Sequence, residues 1–350
     1  MENSIRKTYA GLDIGKFICA FLILFYHYFS EHGSLPWVLD EALSLYAVAV
    51  ALFMSISGFL LFEKINNIDD QKDRWNVVMK QVKRILSIYL IWSVPYVLFS
   101  VMRWPWKELD FSFVFWQVQE WIFRSTFSTI WFMPTLAIGM VLTFWLVEKL
   151  PNWCVGMIAV ILYSIGSLTL TYSHFGNMIP KFSEFIQFSE LWLGGSRGWL
   201  YYAIPFLLLG RQVSRKKNKL NFIANFFFAC DCVLIMLAEA LLLRQFSGGH
   251  TGIDMTIMMV PTVYFVLTGL VQLNIRSGAY CSWMRKMSTL IFMSQRLFLT
   301  VLPAVFPLFF ETYIFANYYL GAILICFMLV GLSIAIIELG KKYYFFRMLC

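Results

Sequence analysis

Ten apolar runs, most of them long enough to cross a lipid bilayer as a helix, take up the greater part of this chain of 350 residues. A membrane-spanning helix needs about 20 predominantly apolar residues. The runs cover residues 12–29, 43–62, 85–102, 130–147, 154–172, 199–213, 222–243, 255–273, 287–306 and 314–339. Because 60% of the residues are hydrophobic and only 14% are charged, a water-soluble enzyme of this length is excluded. The pattern predicts an all-α, polytopic integral membrane helical bundle that forms a single domain over residues 1–350.

The basic residues are distributed unevenly over the segments between these runs. In membrane proteins, short cytoplasmic loops carry an excess of Lys and Arg. With about ten transmembrane helices and both termini in the cytoplasm, 20 of the 28 basic residues fall in cytoplasmic segments and six in outer segments. This topology accounts for the net charge of +8, so nucleic acid is not expected as a partner.

Two of the runs contain helix-breaking residues, and two of the segments between runs are unusually long. The sixth run contains Pro205 and Gly210, and the eighth contains Pro261, breaks that neighbouring helices can tolerate. The outer segments 103–129 and 173–198 are rich in tryptophan. They are predicted to form helices that lie in the membrane interface, or alternatively a lid over a substrate groove.

The seven cysteines lie mostly inside apolar runs, without C-x-x-C spacing and without nearby histidines. Zinc sites in proteins use clustered Cys and His ligands. We therefore interpret the cysteines as free structural thiols and predict no metal site.

Ionisable residues inside the first run are the strongest functional candidates, because a charge at membrane depth costs a few kcal/mol. Lys16 and His27 are eleven residues apart, which returns them to nearly the same helix face at an axial distance of about 16 Å. Asp13 is three residues before Lys16, so these two can form a local pair. A histidine on the same stripe as a buried cation is suited to act as a base near neutral pH. The alternative is a hydrogen-bonded histidine of the core.

Three further ionisable residues lie in later runs. Asp231 and Glu239 are in the seventh run, and Arg296 is in the ninth, beside Gln295. The two carboxylates are structural if they are protonated or paired with Arg296, and otherwise they indicate an acceptor site.

The first helix resembles the signature of the acyltransferase 3 family of membrane acyltransferases, in which a basic residue, usually Arg, precedes a His by eleven positions. The resemblance starts with LDIGKF at 12–17 and FYH at 25–27. It continues with FMSISGFLL at 53–61, with KRIL at 83–86, and with WFM at 131–133. Two departures are notable. Lys16 stands where Arg is commoner, and its ammonium group cannot form the paired hydrogen bonds that a guanidinium forms with phosphate. Gln295 lies where many members have a His.

The resemblance implies transfer of an acyl group, commonly acetyl from acetyl-CoA, to a hydroxyl of a carbohydrate that is exported or displayed on the cell surface. In this chain it implies three groups of site residues: His27 as general base with Lys16 and Asp13 beside it, Lys80, Lys83 and Arg84 for the donor phosphates, and Arg197, Glu239, Trp131 and Gln295 at the acceptor or groove. Acetyl-CoA is a substrate, and no cofactor is expected. The expected partners are acetyl-CoA, a glycan acceptor and membrane lipid, and the expected location is the plasma membrane.

Two other interpretations stay open. A transporter or flippase for a glycan or lipid-linked intermediate would also be a polytopic bundle with a few buried charges, although the sequence has no symmetric pair of broken helices. A signalling or scaffold protein that has lost activity is the third interpretation, because Gln295 cannot shuttle a proton.

Overall fold

Long apolar helices build the whole described part of the chain, in which a computed structural model contains no β-strand. The described residues are 9–32, 45–127, 129–215, 220–247 and 254–350. The principal helices are α1 (Ala10–His32), α2 (Tyr46–Ile65), α3 (Gln71–Met102), α4 (Phe111–Phe123), α5 (Phe132–Lys149), α6 (Asn152–Thr169), α7 (Phe182–Trp192), α8 (Ile204–Arg215), α9 (Phe222–Ser247), α10 (Met259–Gln272), α11 (Ala279–Arg296) and α12 (Tyr318–Lys342). This confirms the prediction of an all-α polytopic membrane bundle.

Eight of the described helices are long and apolar enough to cross a membrane. The two other predicted runs fall on shorter segments. Run 199–213 is a π-helical turn, Trp199–Ala203, followed by α8, and run 255–273 contains the 14-residue α10. The count of ten spans and the cytoplasmic position of both termini stay predictions, and the first eight residues lie outside the described part.

α2 lies at the centre of the bundle and packs against α1, α8 and α10. Nearly all of its faces are buried, whereas α6 and α9 expose most of their apolar side chains at the periphery, where lipid would cover them. All seven cysteines are free thiols, in agreement with the sequence analysis.

The crossing of α2 and α8 depends on two glycines. A Cβ atom on Gly210 would lie 2.0 Å from the backbone oxygen of Ser55, and one on Gly58 would lie 2.4 Å from that of Leu207. Without a hydrophobic driving force between helices in lipid, small residues stabilise a bundle by letting backbones approach closely. Gly58 and Gly210 therefore allow the backbones of α2 and α8 to lie in direct contact.

The segments expected at the outer surface carry two amphipathic helices, α4 and α7, which contact each other. The Gln119 side chain donates a hydrogen bond to the Leu191 carbonyl, and Arg124 forms an ion pair with Glu190. Several of their large apolar side chains are exposed, including Phe111. This exposure suits both the interfacial helices and the lid that the sequence predicts.

We expect Gly210→Ala to destabilise the protein by at least about 1–3 kcal/mol, because its methyl group would overlap backbone rather than a movable side chain. The measurement is the apparent melting temperature of the detergent-solubilised protein. Gly331→Ala is the matched control, because a Cβ there meets no atom within 4 Å. Equal melting temperatures of the two variants would contradict a close crossing of α2 and α8.

Candidate active site

His27 and Arg296 meet between two parallel helices. His27 lies near the carboxyl end of α1, Arg296 is the last residue of α11, and the two helices pack along their length. Nη2 of Arg296 is 3.1 Å from Nδ1 of His27. Since a guanidinium only donates hydrogen bonds, Nδ1 accepts, and the neutral ring then carries its proton on Nε2.

Arg296 is held by three further oxygens. It forms an ion pair with Glu31 and donates to the hydroxyl of Thr129, and the hydroxyl of Thr300 lies 3.5 Å from Nη1. Only 8% of Arg296 is exposed. A buried guanidinium needs a charged partner, and Glu31 supplies it. The pairing of Arg296 with Asp231 or Glu239, which was one alternative from the sequence, is therefore wrong.

A second pair of charges lies near His27. Arg197 forms an ion pair with Asp254, and Asp254 also accepts a hydrogen bond of 2.8 Å from the Tyr46 hydroxyl. The Tyr46 ring centroid is 6.4 Å from that of His27. Burial lowers the pKa of Arg197, but Asp254 together with Tyr46 and Tyr202 more than offsets this, so the pKa lies above its ordinary value. Arg197 therefore stays a cation.

A glycine turn presents Arg197 to this site. Gly194 and Gly195 both have positive φ, at 81° and 74°, a conformation that glycine adopts without steric cost. Glu190 accepts hydrogen bonds from the backbone nitrogen and the hydroxyl of Ser196, which fixes the turn. Arg197 follows directly, and the π-helical turn Trp199–Ala203 comes next.

Glu239 anchors the segment that carries Asp254. Its carboxylate accepts hydrogen bonds from the hydroxyl of Tyr172 and from the backbone nitrogens of Ile257 and Met258, the latter two at 2.7 and 3.0 Å. The two backbone hydrogen bonds attach the Glu239 carboxylate to the residues just before α10. The geometry therefore favours the structural alternative for Glu239 over an acceptor site.

Trp131 and Gln295, predicted at the acceptor or groove, lie in the packed interior near the site. The Trp131 ring meets that of Tyr202 edge to face, with centroids 5.9 Å apart. Gln295 is fully buried, and its amide nitrogen donates to the Phe292 carbonyl at 3.0 Å. Its Oε1 has no hydrogen-bond partner among the described residues.

At the opposite end of α1, Asp13 pairs with Arg285 rather than with Lys16. Nε and Nη2 of Arg285 donate to the two carboxylate oxygens at 2.9 and 2.8 Å. The Asp13–Lys16 pair that the spacing allows is therefore not formed. Lys16 nevertheless lies within electrostatic range of the Asp13 carboxylate, and of three cations, Arg84, Arg285 and Lys64.

The predicted donor residues lie on the first half of α3. Lys80, Lys83 and Arg84 are all exposed. Arg84 is the one that comes within electrostatic range of Lys16. The structure thus gathers a cationic group, Lys16, Lys64, Arg84 and Arg285, at one end of α1, with His27 near the other end.

Sequence reasoning missed four residues of the His27 site: Arg296 as its direct contact, together with Glu31, Asp254 and Tyr46. The available signal was Arg296 itself, a cation inside an apolar run. Its partners cannot be inferred from spacing, since Glu31 and His27 lie more than 260 residues away along the chain.

Comparison with curated proteins gives relatives of low identity. The chain is 24% identical over 267 residues to an amino-acid racemase of Enterococcus faecalis, and this match covers 74% of the chain and 35% of that protein. It is similar to a second amino-acid racemase of that organism, with 23% identity over 261 residues, 73% of the chain and 36% of that protein. A serine/alanine racemase of Enterococcus gallinarum is 24% identical over 266 residues, which are 75% of the chain and 37% of that protein. The chain thus spans little more than a third of the length of these relatives.

No solved structure matches this chain. A family model described as an acyltransferase domain matches residues 9–338. That range includes every residue of the His27 site and of the cationic group at the other end of α1, and it is nearly the whole chain. The chain therefore belongs to the acyltransferase 3 family of membrane acyltransferases.

Proposed function

We propose that this membrane acyltransferase transfers an acetyl group from acetyl-CoA to a hydroxyl of a cell-surface or exported glycan, and that His27 is the general base. One observation carries the proposal: a buried arginine contacts the ring of an intramembrane histidine, within the range that the acyltransferase family model matches. Imidazole is the side chain best suited to proton transfer near neutral pH. We also propose the plasma membrane as the location.

The cationic group at the far end of α1 would bind the donor. Charge-assisted hydrogen bonds from Lys16 and Arg84 would hold the phosphates of CoA, and Lys80 and Lys83 would extend the positive surface along α3. Lys16 and His27 are about 16 Å apart along the helix axis. An extended pantetheine arm is suited to cover such a distance and deliver the thioester to His27.

At the reacting atoms, the acceptor hydroxyl would take the place of Arg296 at Nδ1 of His27. Its oxygen forms a bond to the thioester carbonyl carbon while its proton moves to Nδ1. The carbon–sulfur bond then breaks, and the CoA thiolate takes the proton from the imidazolium. Arg296, still held by Glu31, would stabilise the negative charge that develops on the carbonyl oxygen.

Arg197, Trp131 and Gln295 would serve the acceptor side. Arg197 is held by Asp254 beside the His27 ring, where its guanidinium can donate to sugar oxygens. Oε1 of Gln295, to which no described residue donates, would accept a hydrogen bond from a sugar hydroxyl. α4 and α7 would close over this side as a lid.

The racemase relatives differ from this chain in length. Those proteins are almost three times as long as the stretch that matches, and the matched stretch is the acyltransferase domain. Amino-acid racemisation is accordingly assigned to no residue of this chain.

Replacing His27 by alanine should lower acetyl transfer by at least 100-fold, because general base catalysis contributes about 10²–10⁴-fold. The measurement is the acetate that mild alkali releases from the glycan of cells expressing each variant, normalised to the amount of inserted protein. His174→Ala is the control, since it removes an exposed histidine.

Full acetylation of the glycan in the His27→Ala cells would refute the assignment of the base. Loss of glycan export, with acetylation of the intracellular pool unchanged, would instead favour a transporter.

A single and a double variant can separate the role of Arg296 in stabilising the transition-state charge from its role in folding. Arg296→Gln should lower both the melting temperature and acetyl transfer, since it leaves Glu31 without its partner. Glu31→Gln/Arg296→Gln removes both charges, so we expect the melting temperature to recover in part. Acetyl transfer should stay about 10²–10³-fold below wild type, the usual cost of removing one such donor. If acetyl transfer recovers together with stability in the double variant, Arg296 has only a structural role.

A further inference from the structure

A lateral groove between α6, α8 and the start of α10 lies outside the His27 site. Its cavity has a volume of about 1090 Å³. Its walls include Val160 and Gly156 of α6, Phe206 and Leu209 of α8, and Val260 of α10. Most of these walls are apolar, and Val160 is among the exposed side chains of the bundle periphery. Lipid can therefore enter the groove from the side.

Two arginines form one end of the groove. Arg211 and Arg215 are one helical turn apart on α8, where like charges repel. Both donate to the same oxygen, Oδ1 of Asn152, at 2.9 and 2.8 Å. An amide oxygen satisfies hydrogen bonds but does not neutralise charge. Among the described residues, neither arginine has a carboxylate within ion-pair distance.

A second, polar cavity of about 680 Å³ meets the groove at the same two arginines. The carboxylates in its wall are already engaged: Glu148 pairs with Arg74 at 2.8 Å, and Glu63 accepts a hydrogen bond of 2.6 Å from Tyr9. Arg211 and Arg215 therefore stand between an apolar chamber and a polar chamber. Glu148 lies within electrostatic range of Arg211, but no carboxylate of the described residues forms an ion pair with either arginine.

Trp153 marks the level of this junction in the membrane. It lines the groove beside Asn152, and 66% of it is exposed. Tryptophan concentrates at the boundary between lipid headgroups and acyl chains. The positive-inside count predicts that this end of α6 and α8 is cytoplasmic.

We infer that this groove is a binding site for an anionic phospholipid of the cytoplasmic leaflet. Its acyl chains lie in the apolar groove, its phosphate lies between Arg211 and Arg215, and its headgroup reaches the polar cavity. Guanidinium groups bind phosphate oxygens through paired hydrogen bonds, and basic pockets between membrane helices on the cytoplasmic side bind anionic headgroups. The site is separate from the acyl-transfer chemistry proposed for His27.

Native mass spectrometry of delipidated protein, incubated with dioleoyl phosphatidylglycerol or dioleoyl phosphatidylcholine, tests this inference. We expect one tightly retained phosphatidylglycerol and at least tenfold less phosphatidylcholine. Arg211→Gln/Arg215→Gln should reduce retention of phosphatidylglycerol at least tenfold. Its control is Arg276→Gln/Lys342→Gln, which removes two exposed cations elsewhere and should retain the lipid.

The apolar chamber is tested by Gly156→Leu, which fills the groove while both arginines stay in place. A Cβ on Gly156 meets no atom within 4 Å, and the same holds for Gly331 on the lipid-facing α12. Gly156→Leu should therefore lose phosphatidylglycerol and Gly331→Leu should keep it. This comparison decides the question even where the double arginine variant fails to fold.

Four results would overturn the inference: equal retention of the two lipids, equal loss in the control variants, unchanged retention in Gly156→Leu, or complete displacement by millimolar inorganic phosphate. The last would assign the arginines to a free anion rather than to a lipid. A fifth result would also overturn it: displacement of phosphatidylglycerol by an equimolar polyprenyl phosphate would assign the groove to that lipid instead.

Discussion

Charge pairing at the two ends of α1 is the constraint on which the arrangement of α1 and α11 depends. Each pair joins a charge inside one apolar run, Asp13 or Arg296, to a partner just outside the other run, and an unpaired charge at membrane depth costs a few kcal/mol. Asp13 meets Arg285 at one end of the two helices, and Glu31 meets Arg296 at the other. Asp13 and Glu31 are 18 residues apart, which is about five helical turns, and the two arginines are eleven apart, about three turns. Each set therefore lies on one face, and the two pairs fix the helices in parallel with His27 between them.

The helices could largely be predicted from the sequence because apolar length is a direct requirement of the bilayer. All ten predicted runs fall on helical segments. The ends are harder to predict. α3 begins at Gln71 rather than near residue 85, since its first turns are basic and amphipathic, and since Asp70 caps them by accepting a bond from the Asp73 nitrogen. Runs 199–213 and 255–273 are apolar without forming a helix of full length, because hydropathy does not distinguish a regular helix from a π-helical turn or from the turns that precede α10.

The candidate site could be predicted only in part. Lys16 and His27 lie on one helix, so their shared stripe follows from helical geometry alone. The contacts of His27 with Arg296, and of Arg197 with Asp254, join residues far apart in the chain, and a single sequence gives no information on such pairs. For Glu239, an acid inside an apolar run, the sequence leaves both a structural role and an acceptor site open. Its carboxylate accepts hydrogen bonds from Tyr172 and from two backbone nitrogens just before α10, which favours the structural role.

The two arginines of the His27 site share a local backbone feature that explains how cations reach it from apolar helices. Arg296 directly precedes the π-helical turn Leu297–Val301, and Arg197 comes two residues before the π-helical turn Trp199–Ala203. A π turn inserts an extra residue and changes the direction of the side chains that follow, and such turns are frequent at functional sites. Arg296 ends the regular helix α11, whereas Arg197 lies in the glycine turn. In both cases the π-helical turn that follows returns apolar side chains to the bundle. The π-helical turns at the start of the sixth run and within the ninth run thus accompany the positive charges beside His27.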